Sequence, residues 1–246
     1  MEEVRHSRFK GAPWYSEDLH HERVLIGGAG GIGSWLAFFL YKIGVHVEIV
    51  DTDRLEEHNL GGQLMSAHNL GDYKVKAIKS MISLTEAERY VIRFKANVEW
   101  ITGSYVTQKP FVFSGFDNMA ARKNLFEAWL NAYWVRDEEG AYQKKYANNP
   151  IFIDGRLEME QIQIFTITNN QQIQEYKEKH LFNDEVVEEA ACTMKQTSHT
   201  AAMIGAKMTA IFTNFLANIY TNSNSRTVPF YYEEFTPALL NTVDIL

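Results

Sequence analysis

Three glycines near the start of the chain have the spacing of a loop that holds phosphate groups. Gly28, Gly30 and Gly33 lie between the apolar run Val24–Gly28, a predicted strand, and the stretch Ile32–Ile43, a predicted helix. In this Gly-x-Gly-x-x-Gly pattern the first glycine permits a tight turn and the second lets a phosphate approach the backbone. The third lets the helix pack closely on the strand. The free N–H groups at the helix start attract an anion, so the pattern predicts a nucleotide-binding turn.

A carboxylate closes the next predicted strand. Val45–Val50 is apolar and rich in β-branched residues, and Asp51 follows it. At this position a carboxylate accepts hydrogen bonds from ribose hydroxyls. Because ATP and dinucleotides both carry a ribose, these residues do not separate an ATP-dependent enzyme from an NAD(P)-dependent oxidoreductase. A glycine-rich turn that binds no ligand is a third alternative.

Two charged residues further along the chain favour a triphosphate. Lys74 begins the predicted helix Lys74–Leu84, and a lysine beside phosphate groups neutralises their charge. Asp117 follows the predicted strand Phe111–Phe113, and carboxylate oxygens are ligands that magnesium prefers. A nicotinamide-dependent enzyme would leave both side chains without a role.

The elements that would position these residues alternate between strands and helices. This alternation predicts an α/β fold with a Rossmann-like, doubly wound sheet that is mostly parallel and carries antiparallel C-terminal strands. Residues 52–72 are predicted to form a long loop, and Asp154-Gly155-Arg156 a strand end followed by a turn. The other predicted elements are strands at Tyr90–Phe94, Ile151–Asp154 and Gln161–Thr168, and helices at Met119–Trp134 and Ala201–Tyr220.

One domain is predicted over residues 1–246. Residues 1–22 are predicted to form an N-terminal helical arm and residues 135–150 a surface insertion. Residues 171–189 are predicted to cross the domain as a loop with a short helix. Residues 221–246 form an aromatic tail that covers either this core or a partner.

Composition narrows the function classes. Apolar residues make up 46% of the chain and charged residues 22%, which is typical of globular proteins. The formal net charge of −7 gives no support to binding of a nucleic-acid backbone. The chain contains no apolar run of about 18 residues, which is the length that would predict a membrane helix. The charged N-terminal segment lacks a signal core, so a cytoplasmic location is expected.

The ordered set of motifs resembles the ThiF/MoeB family, the bacterial relatives of ubiquitin-activating enzymes. The resemblance covers most of residues 5–220, and the set is specific even though each motif alone is not. The matching segments are the glycine loop Gly28–Ser34, the acidic pair Asp51-Thr52-Asp53, Asn59-Leu60 with Gln63, Gly71 with Lys74, Asp117-Asn118 with Arg122, and Arg5-His6-Ser7-Arg8.

The resemblance implies ATP-dependent adenylation of the C-terminal glycine of a ubiquitin-like or sulfur-carrier protein that ends in Gly-Gly. It also implies a homodimer, with nucleic acid involved only as a modified substrate. By position, Asp51 would bind the ribose and Asp117 would hold Mg²⁺. Arg8 would reach into the partner subunit's site. The remaining nucleotide-binding residues implied are Gly28, Gly30, Gly31, Gly33, Asp53, Asn59 and Lys74.

The chain departs from this family's pattern where a triphosphate-binding arginine is replaced by Gly62. Replacement of its charge by Arg54, Lys76 or Arg156 is one interpretation. The other is a weakly active or inactive dimeric binding module.

The chain has one cysteine, Cys192, so the paired zinc-binding cysteines of many members are absent and no structural zinc is expected. The family places a cysteine that can take the activated acyl group as a thioester in this region. The alternative for Cys192 is a small buried residue.

Overall fold

The computed structural model describes residues 7–85, 94–98, 106–182 and 197–246 of the chain. Cys192 lies outside the described residues, and so do Arg5 and His6 of the N-terminal motif. The predicted thioester role of Cys192 therefore stays a prediction. The first four residues of the predicted strand Tyr90–Phe94 are also outside, and the strand described there begins at Phe94.

The described ranges contain ten strands, which form one large sheet and one small hairpin. The eight strands of the large sheet have the order β10-β9-β8-β7-β4-β1-β2-β3, with β5 and β6 in the hairpin. The bounds are β1 Arg23–Gly27, β2 His46–Val50, β3 Phe94–Asn97, β4 Phe111–Ser114, β5 Trp134–Arg136, β6 Tyr142–Lys144, β7 Ile151–Glu158, β8 Gln161–Ile167, β9 Tyr231–Phe235 and β10 Leu240–Asp244. Neighbouring strands from β3 to β7 are parallel, and those from β7 to β10 are antiparallel. This topology confirms the predicted fold class.

The helices lie on both faces of the large sheet. Their bounds are α1 Gly31–Ile43, α2 Lys74–Thr85, α3 Met119–Tyr133, α4 Asn170–Glu175, which continues as a π-helical turn to His180, and α5 Ser198–Thr221. Short 3-10 helices occur at Ser7–Phe9 and Glu17–His21 in the N-terminal arm, at Glu57–Asn59 and Ala67–Asn69 in the long loop, and at Thr236–Ala238. Among the described residues, none of the helices combines the length and apolarity needed to span a membrane.

Each face of the sheet carries its own core. Val24 and Ile26 of β1 pack into the core shared with α1, α2 and α5, whereas Leu25 points into the core shared with α3 and α4. Both faces are covered, so the central parallel strands are continuously apolar rather than alternating. This explains why short apolar runs in the sequence predicted these strands.

The prediction of a turn at Asp154-Gly155-Arg156 is wrong. Strand β7 continues through these residues to Glu158, because its antiparallel pairing with β8 runs on to the pair Glu158 and Gln161. A Cβ on Gly155 would lie 2.6 Å from Sδ of Met208 on α5. The glycine therefore serves close packing of α5 on the sheet and does not end the strand.

The two segments predicted as appendages both have regular structure. Residues 135–150 include most of the β5–β6 hairpin, whose Tyr142 N–H donates to Oδ1 of Asn170 at the start of α4. The aromatic tail supplies β9 and β10, and Phe230 and Tyr232 are buried in the core of this chain. The described tail therefore covers its own core.

Candidate functional site

The predicted site lies where the sheet changes direction. After β1 the chain builds β2 and β3 on one side, and then returns to place β4 on the other side of β1. The loops after β1 and β4 meet there: the Gly115 N–H donates to the Gly27 carbonyl at 2.9 Å, and a Cβ on Gly28 would lie 3.0 Å from the Gly115 carbonyl. Crevices at such switch points are the usual ligand sites of open α/β sheets.

The glycine turn is tightly built but open towards solvent. Gly28 has a φ of +90°, a conformation that favours glycine, and its N–H donates to the Val50 carbonyl at 3.0 Å. A Cβ on Gly33 would overlap the Gly28 carbonyl oxygen, whereas a Cβ on Gly30 would meet nothing within 4 Å. Gly30 caps α1 without a side chain, so the turn leaves room beside the N–H groups that begin the helix.

Asp51 joins the end of β2 to the glycine turn. One carboxylate oxygen accepts the Ala29 N–H at 2.6 Å, and the other accepts the Asp53 N–H at 2.7 Å. Burial raises the pKa of Asp51 above its ordinary value, although these hydrogen bonds and the nearby charge of Lys74 act in the opposite direction. The two N–H groups orient the carboxylate beside the turn, where a ribose hydroxyl could donate to a remaining lone pair.

Lys74 reaches this same region from the first residue of α2. Its Nζ lies 2.8 Å from Oδ2 of Asp53, and its N–H donates to the Asp53 carbonyl at 2.9 Å. The Lys74 side chain is 12% exposed and the Asp53 side chain 65% exposed. The structure therefore places Asp53 as the ion-pair partner of Lys74, and a bound phosphate would compete with Asp53 for the ammonium group.

The loop after Asn59 is held against the first turns of α1. The Trp35 indole N–H donates to the Gly62 carbonyl at 3.2 Å, and the Leu64 N–H donates to Oγ of Ser34 at 3.0 Å. Oδ1 of Asn59 accepts the Glu56 N–H at 3.0 Å, a local cap that uses the amide oxygen. Within this loop the buried Oε1 of Gln63 accepts no hydrogen bond from the described residues.

Asp117 is exposed on the loop after β4. Its Oδ1 accepts a long hydrogen bond of 3.3 Å from Asn118, and Asn118 in turn caps α3 through the Ala121 N–H at 2.8 Å. No cluster of three or more His, Cys, Asp or Glu side chains suited to a metal occurs in the described ranges. A site with one carboxylate fits Mg²⁺, which commonly takes one or two carboxylates and completes its shell with water and phosphate oxygens.

A buried ion network that sequence reasoning missed lies next to Asp117. Asp154 is fully buried and accepts from both Nη1 of Arg122 and Nε of Arg156, the latter at 2.8 Å. The Tyr176 hydroxyl donates to the same carboxylate at 2.9 Å. The available signal was an aspartate inside an otherwise apolar strand, since a buried carboxylate needs charged or hydrogen-bonding partners.

The pKa of Asp154 follows from this environment. Burial alone would raise it, but the Arg122 and Arg156 guanidinium groups reverse the effect and hold the pKa below its ordinary value. Burial and the adjacent Asp154 carboxylate raise the pKa of the Tyr176 hydroxyl above its ordinary value. The network is therefore two cations, one anion and a neutral phenol near neutral pH.

Asp154→Asn is expected to lower the free energy of unfolding by about 3–5 kcal/mol at pH 7, because two buried guanidinium groups lose their anion. The native pKa is depressed, so the contribution of the carboxylate is complete above about pH 5 and is lost as pH falls through the native value. Urea unfolding at pH 7 and at about pH 3.5 measures this. The gap between wild type and variant should shrink on acidification, and a gap independent of pH would contradict the prediction.

The cations considered as replacements for the family arginine are engaged elsewhere. Nη1 of Arg54 donates to the Gly71 carbonyl at 2.7 Å, and its guanidinium lies 4.1 Å from the Tyr73 ring centroid. Lys76 lies over the same ring, and Arg156 belongs to the buried network. Each of these three cations therefore already has a contact of its own, whereas Lys74 pairs with the exposed carboxylate of Asp53.

Arg8 is not part of this cluster in the single chain. It is exposed on the short helix Ser7–Phe9, and its guanidinium forms no ion pair with any residue in the described part of the chain. The structure brings together the glycine turn with Asp51, the ion pair of Lys74 with Asp53, and the loop carrying Asp117. The predicted position of Arg8 in a second subunit stays a prediction.

Similar chains occur both among known protein sequences and among solved structures. A 54-residue segment is 43% identical to the adenylyltransferase and sulfurtransferase UBA4 of Yarrowia lipolytica, and it spans 22% of this chain but 14% of that protein. The crystal structure of E. coli MccB with ATP is 17% identical with a TM-score of 0.66, and the match covers 98% of this chain and 71% of that chain. The structure of E. coli MccB with MccA-N7isoASN is 14% identical with the same TM-score, and the match covers 100% of this chain and 72% of that chain.

The two solved structures show a shared fold at these identities. The sequence profile of the ThiF family matches residues 7–242, which include the glycine turn, both loops of the crevice and all ten strands but the last two residues of β10. The resemblance seen in the motifs is thereby confirmed over nearly the whole chain. This protein belongs to the ThiF family.

Proposed function

We propose that this protein is an adenylyltransferase that uses ATP to activate the C-terminal carboxylate of a small carrier protein or peptide. The observation that carries the proposal is the meeting of the open glycine turn with Asp51, Lys74 and the Asp117 loop at one crevice. Family membership, the UBA4 relative and the fold shared with MccB, which was crystallised with ATP, support it.

The proposed reaction needs little covalent chemistry from the protein. A carboxylate oxygen of the carrier attacks the α-phosphorus of ATP, the bond from that phosphorus to the α–β bridging oxygen breaks, and pyrophosphate leaves with the bonding electrons. The carboxylate is already ionised at neutral pH, so no general base is required. Catalysis then depends on positioning the two reactants and on neutralising charge that develops on the phosphates.

Each residue of the crevice has a place in this scheme. Asp51 accepts ribose hydroxyls, and the N–H groups at the start of α1 face the phosphates. Lys74 releases Asp53 and pairs with a phosphate oxygen, because a phosphate carries more charge than the exposed carboxylate it replaces. Asp117 would hold Mg²⁺, which when bound screens the negative charge of the triphosphate.

The proposed homodimer, the role of Cys192 and the identity of the substrate rest on the family resemblance. A homodimer would bring Arg8 of each subunit to the other subunit's crevice, and Cys192 would take the activated acyl group as a thioester. A carrier ending in Gly-Gly is the proposed substrate, and a short peptide is the alternative suggested by MccB with MccA-N7isoASN. Cytoplasmic location is part of the same proposal.

The activity is tested by ATP–pyrophosphate exchange, measured with and without a carrier ending in Gly-Gly or a peptide. A thermal-shift panel first separates the nucleotide classes. ATP with Mg²⁺ at 100 times its dissociation constant is expected to stabilise the fold by about 2.7 kcal/mol, whereas NAD⁺ should not. Stabilisation by NAD⁺ and not by ATP would instead assign the crevice to an oxidoreductase.

A non-catalytic binding module is the second candidate. It is favoured by Gly62 and by the engagement of Arg54, Lys76 and Arg156 in other contacts, which leaves Lys74 without a second described cation. Binding of ATP with Mg²⁺ without exchange, for every carrier and peptide tried, would support this candidate over the enzyme.

Two alanine substitutions in the glycine turn are expected to separate folding from binding. Gly33→Ala forces a Cβ into the Gly28 carbonyl and should destabilise the fold by about 1–3 kcal/mol or more. Gly30→Ala meets no protein atom within 4 Å and should cost less than about 1 kcal/mol as a poorer helix cap, yet its methyl group occupies phosphate space. Urea unfolding and nucleotide titration check both. Normal ATP binding by Gly30→Ala would contradict the placement of the phosphates.

A further inference from the structure

A buried ion pair connects strand β7 to the loop that carries Asp117. Arg122, in the second turn of α3, donates to Asp154 on β7 and to the Gly155 carbonyl at 2.9 Å. Its other terminal nitrogen, Nη2, donates back to the Phe116 carbonyl, one residue before Asp117. One guanidinium group therefore connects strand β7 to the loop that carries Asp117.

The pair is fully inside the protein. Asp154 has no exposed surface and Arg122 is 6% exposed, so neither group is screened by bulk water. Arg156 donates to the other carboxylate oxygen, Oδ2, at 2.8 Å, and this second ion pair keeps Asp154 facing Arg122. A planar guanidinium bound on two sides has one orientation, so the Phe116 carbonyl is held in a defined place.

Among the residues that the structure describes, few contacts fix the position of Asp117. It is exposed, and the one hydrogen bond described for its carboxylate comes from its sequence neighbour Asn118 at 3.3 Å. The adjacent Phe116 is anchored through its ring as well, which lies against Gly27, where a Cβ would be 2.6 Å from Cε2. The location of the Asp117 carboxylate is thus set by the backbone of residues 115–118.

We propose that Arg122 and Asp154 are positioning residues that fix the loop of residues 115–118 and thereby set the affinity of Asp117 for Mg²⁺. This inference rests on the proposed function, because it uses the Mg²⁺ role of Asp117. It extends the site to a strand, β7, whose residues do not reach the nucleotide turn themselves. Arg122 and Asp154 act through the Phe116 carbonyl and touch neither substrate nor metal.

The test is the Mg²⁺ dependence of nucleotide binding, measured by calorimetry with a non-hydrolysable ATP analogue. Arg122→Lys keeps the positive charge but lacks the planar guanidinium with its two terminal nitrogens. It therefore cannot donate to Asp154 and to the Phe116 carbonyl in the same fixed geometry. We expect the Mg²⁺ concentration for half-maximal enhancement of binding to rise about tenfold, while affinity for the analogue without Mg²⁺ changes less than twofold. Asp117→Asn should raise this Mg²⁺ concentration further, because it removes the charge that binds the metal.

Tyr176→Phe is the matched control, since it removes a hydrogen bond to Asp154 without touching the loop. It should lower the melting temperature and leave the Mg²⁺ dependence unchanged. Asp154→Asn is the second variant if Arg122→Lys fails to fold, and it should raise the Mg²⁺ requirement in the same direction.

The outcomes separate the inference from the proposed function. A folded Arg122→Lys protein with wild-type Mg²⁺ dependence overturns the inference and leaves the function standing. An equal change in Tyr176→Phe also overturns it, because the effect would then follow from general loosening of the network. A wild-type protein that binds no nucleotide with or without Mg²⁺ overturns the function and the inference together.

Discussion

Lys74→Ala is expected to reduce carrier-dependent ATP–pyrophosphate exchange by about 10²–10³-fold, the cost of deleting one group that stabilises developing charge. The effect is large because the Lys74 ammonium is largely buried at the crevice, and because Arg54, Lys76 and Arg156 are engaged in other contacts. The exchange rate at saturating ATP and the affinity for ATP measure the loss. Both kcat and kcat/KM should fall, since the interaction strengthens as charge develops on the leaving pyrophosphate.

Lys79→Ala is the matched control for this prediction. Lys79 lies on the same helix α2, is exposed and is the same residue type, so its removal changes net charge equally without affecting the crevice. Exchange by Lys79→Ala should equal that of wild type. The Lys74→Ala protein should keep its melting temperature to within a few degrees, because Asp53, the partner left behind, is 65% exposed and is solvated by water once the pair is lost. Full exchange by Lys74→Ala would show that the assigned role is wrong.

Asp117→Asn is expected to remove exchange to a similar extent, about 10²–10³-fold, for a different reason. The amide keeps the size of the side chain and its proximity to Asn118 but carries no charge to bind Mg²⁺. Raising Mg²⁺ should restore part of the activity if metal affinity is what was lost. The measurement is exchange as a function of Mg²⁺ at fixed ATP, compared between wild type and variant.

Glu127→Gln serves as the control for Asp117→Asn. Glu127 lies on α3, which follows the Asp117 loop, and pairs with Lys177 at 3.1 Å on the surface. Neutralising it changes net charge by the same amount and should alter neither exchange nor the Mg²⁺ requirement. An Asp117→Asn protein with a wild-type Mg²⁺ profile would assign the metal to another residue.

Local patterns in the sequence were sufficient to predict the main elements. The spacing of Gly28, Gly30 and Gly33 depends on neighbours along the chain, and the structure shows the tight turn and close packing that this spacing predicts. The apolar runs predicted the central strands because strands buried on both faces need no alternation. The order of the motifs predicted the ThiF family, which the profile match confirms.

Contacts between distant segments were beyond the reach of the same patterns. The fold pairs the Asp53 carboxylate, which was predicted to bind nucleotide, with Lys74, 21 residues later. The ion network joins Arg122 to Asp154 across 32 residues, and Asp154 to Tyr176 across 22. No pattern in the sequence around these residues indicates their partners, so the partners are known only once the strands are paired.

The residue types and spacing along this chain predicted a nucleotide-type glycine turn, an α/β fold and the acidic and basic residues near that turn, since backbone conformation and burial leave a local signature. The tertiary structure decided three other features. They are the length of β7, the ion pair between Lys74 and Asp53, and the hydrogen-bonded connection from Asp154 through Arg122 to the Asp117 loop. The physical reason is that charge pairing and hydrogen bonding act between groups that are close in space, and a folded sheet brings together residues that the chain itself keeps far apart.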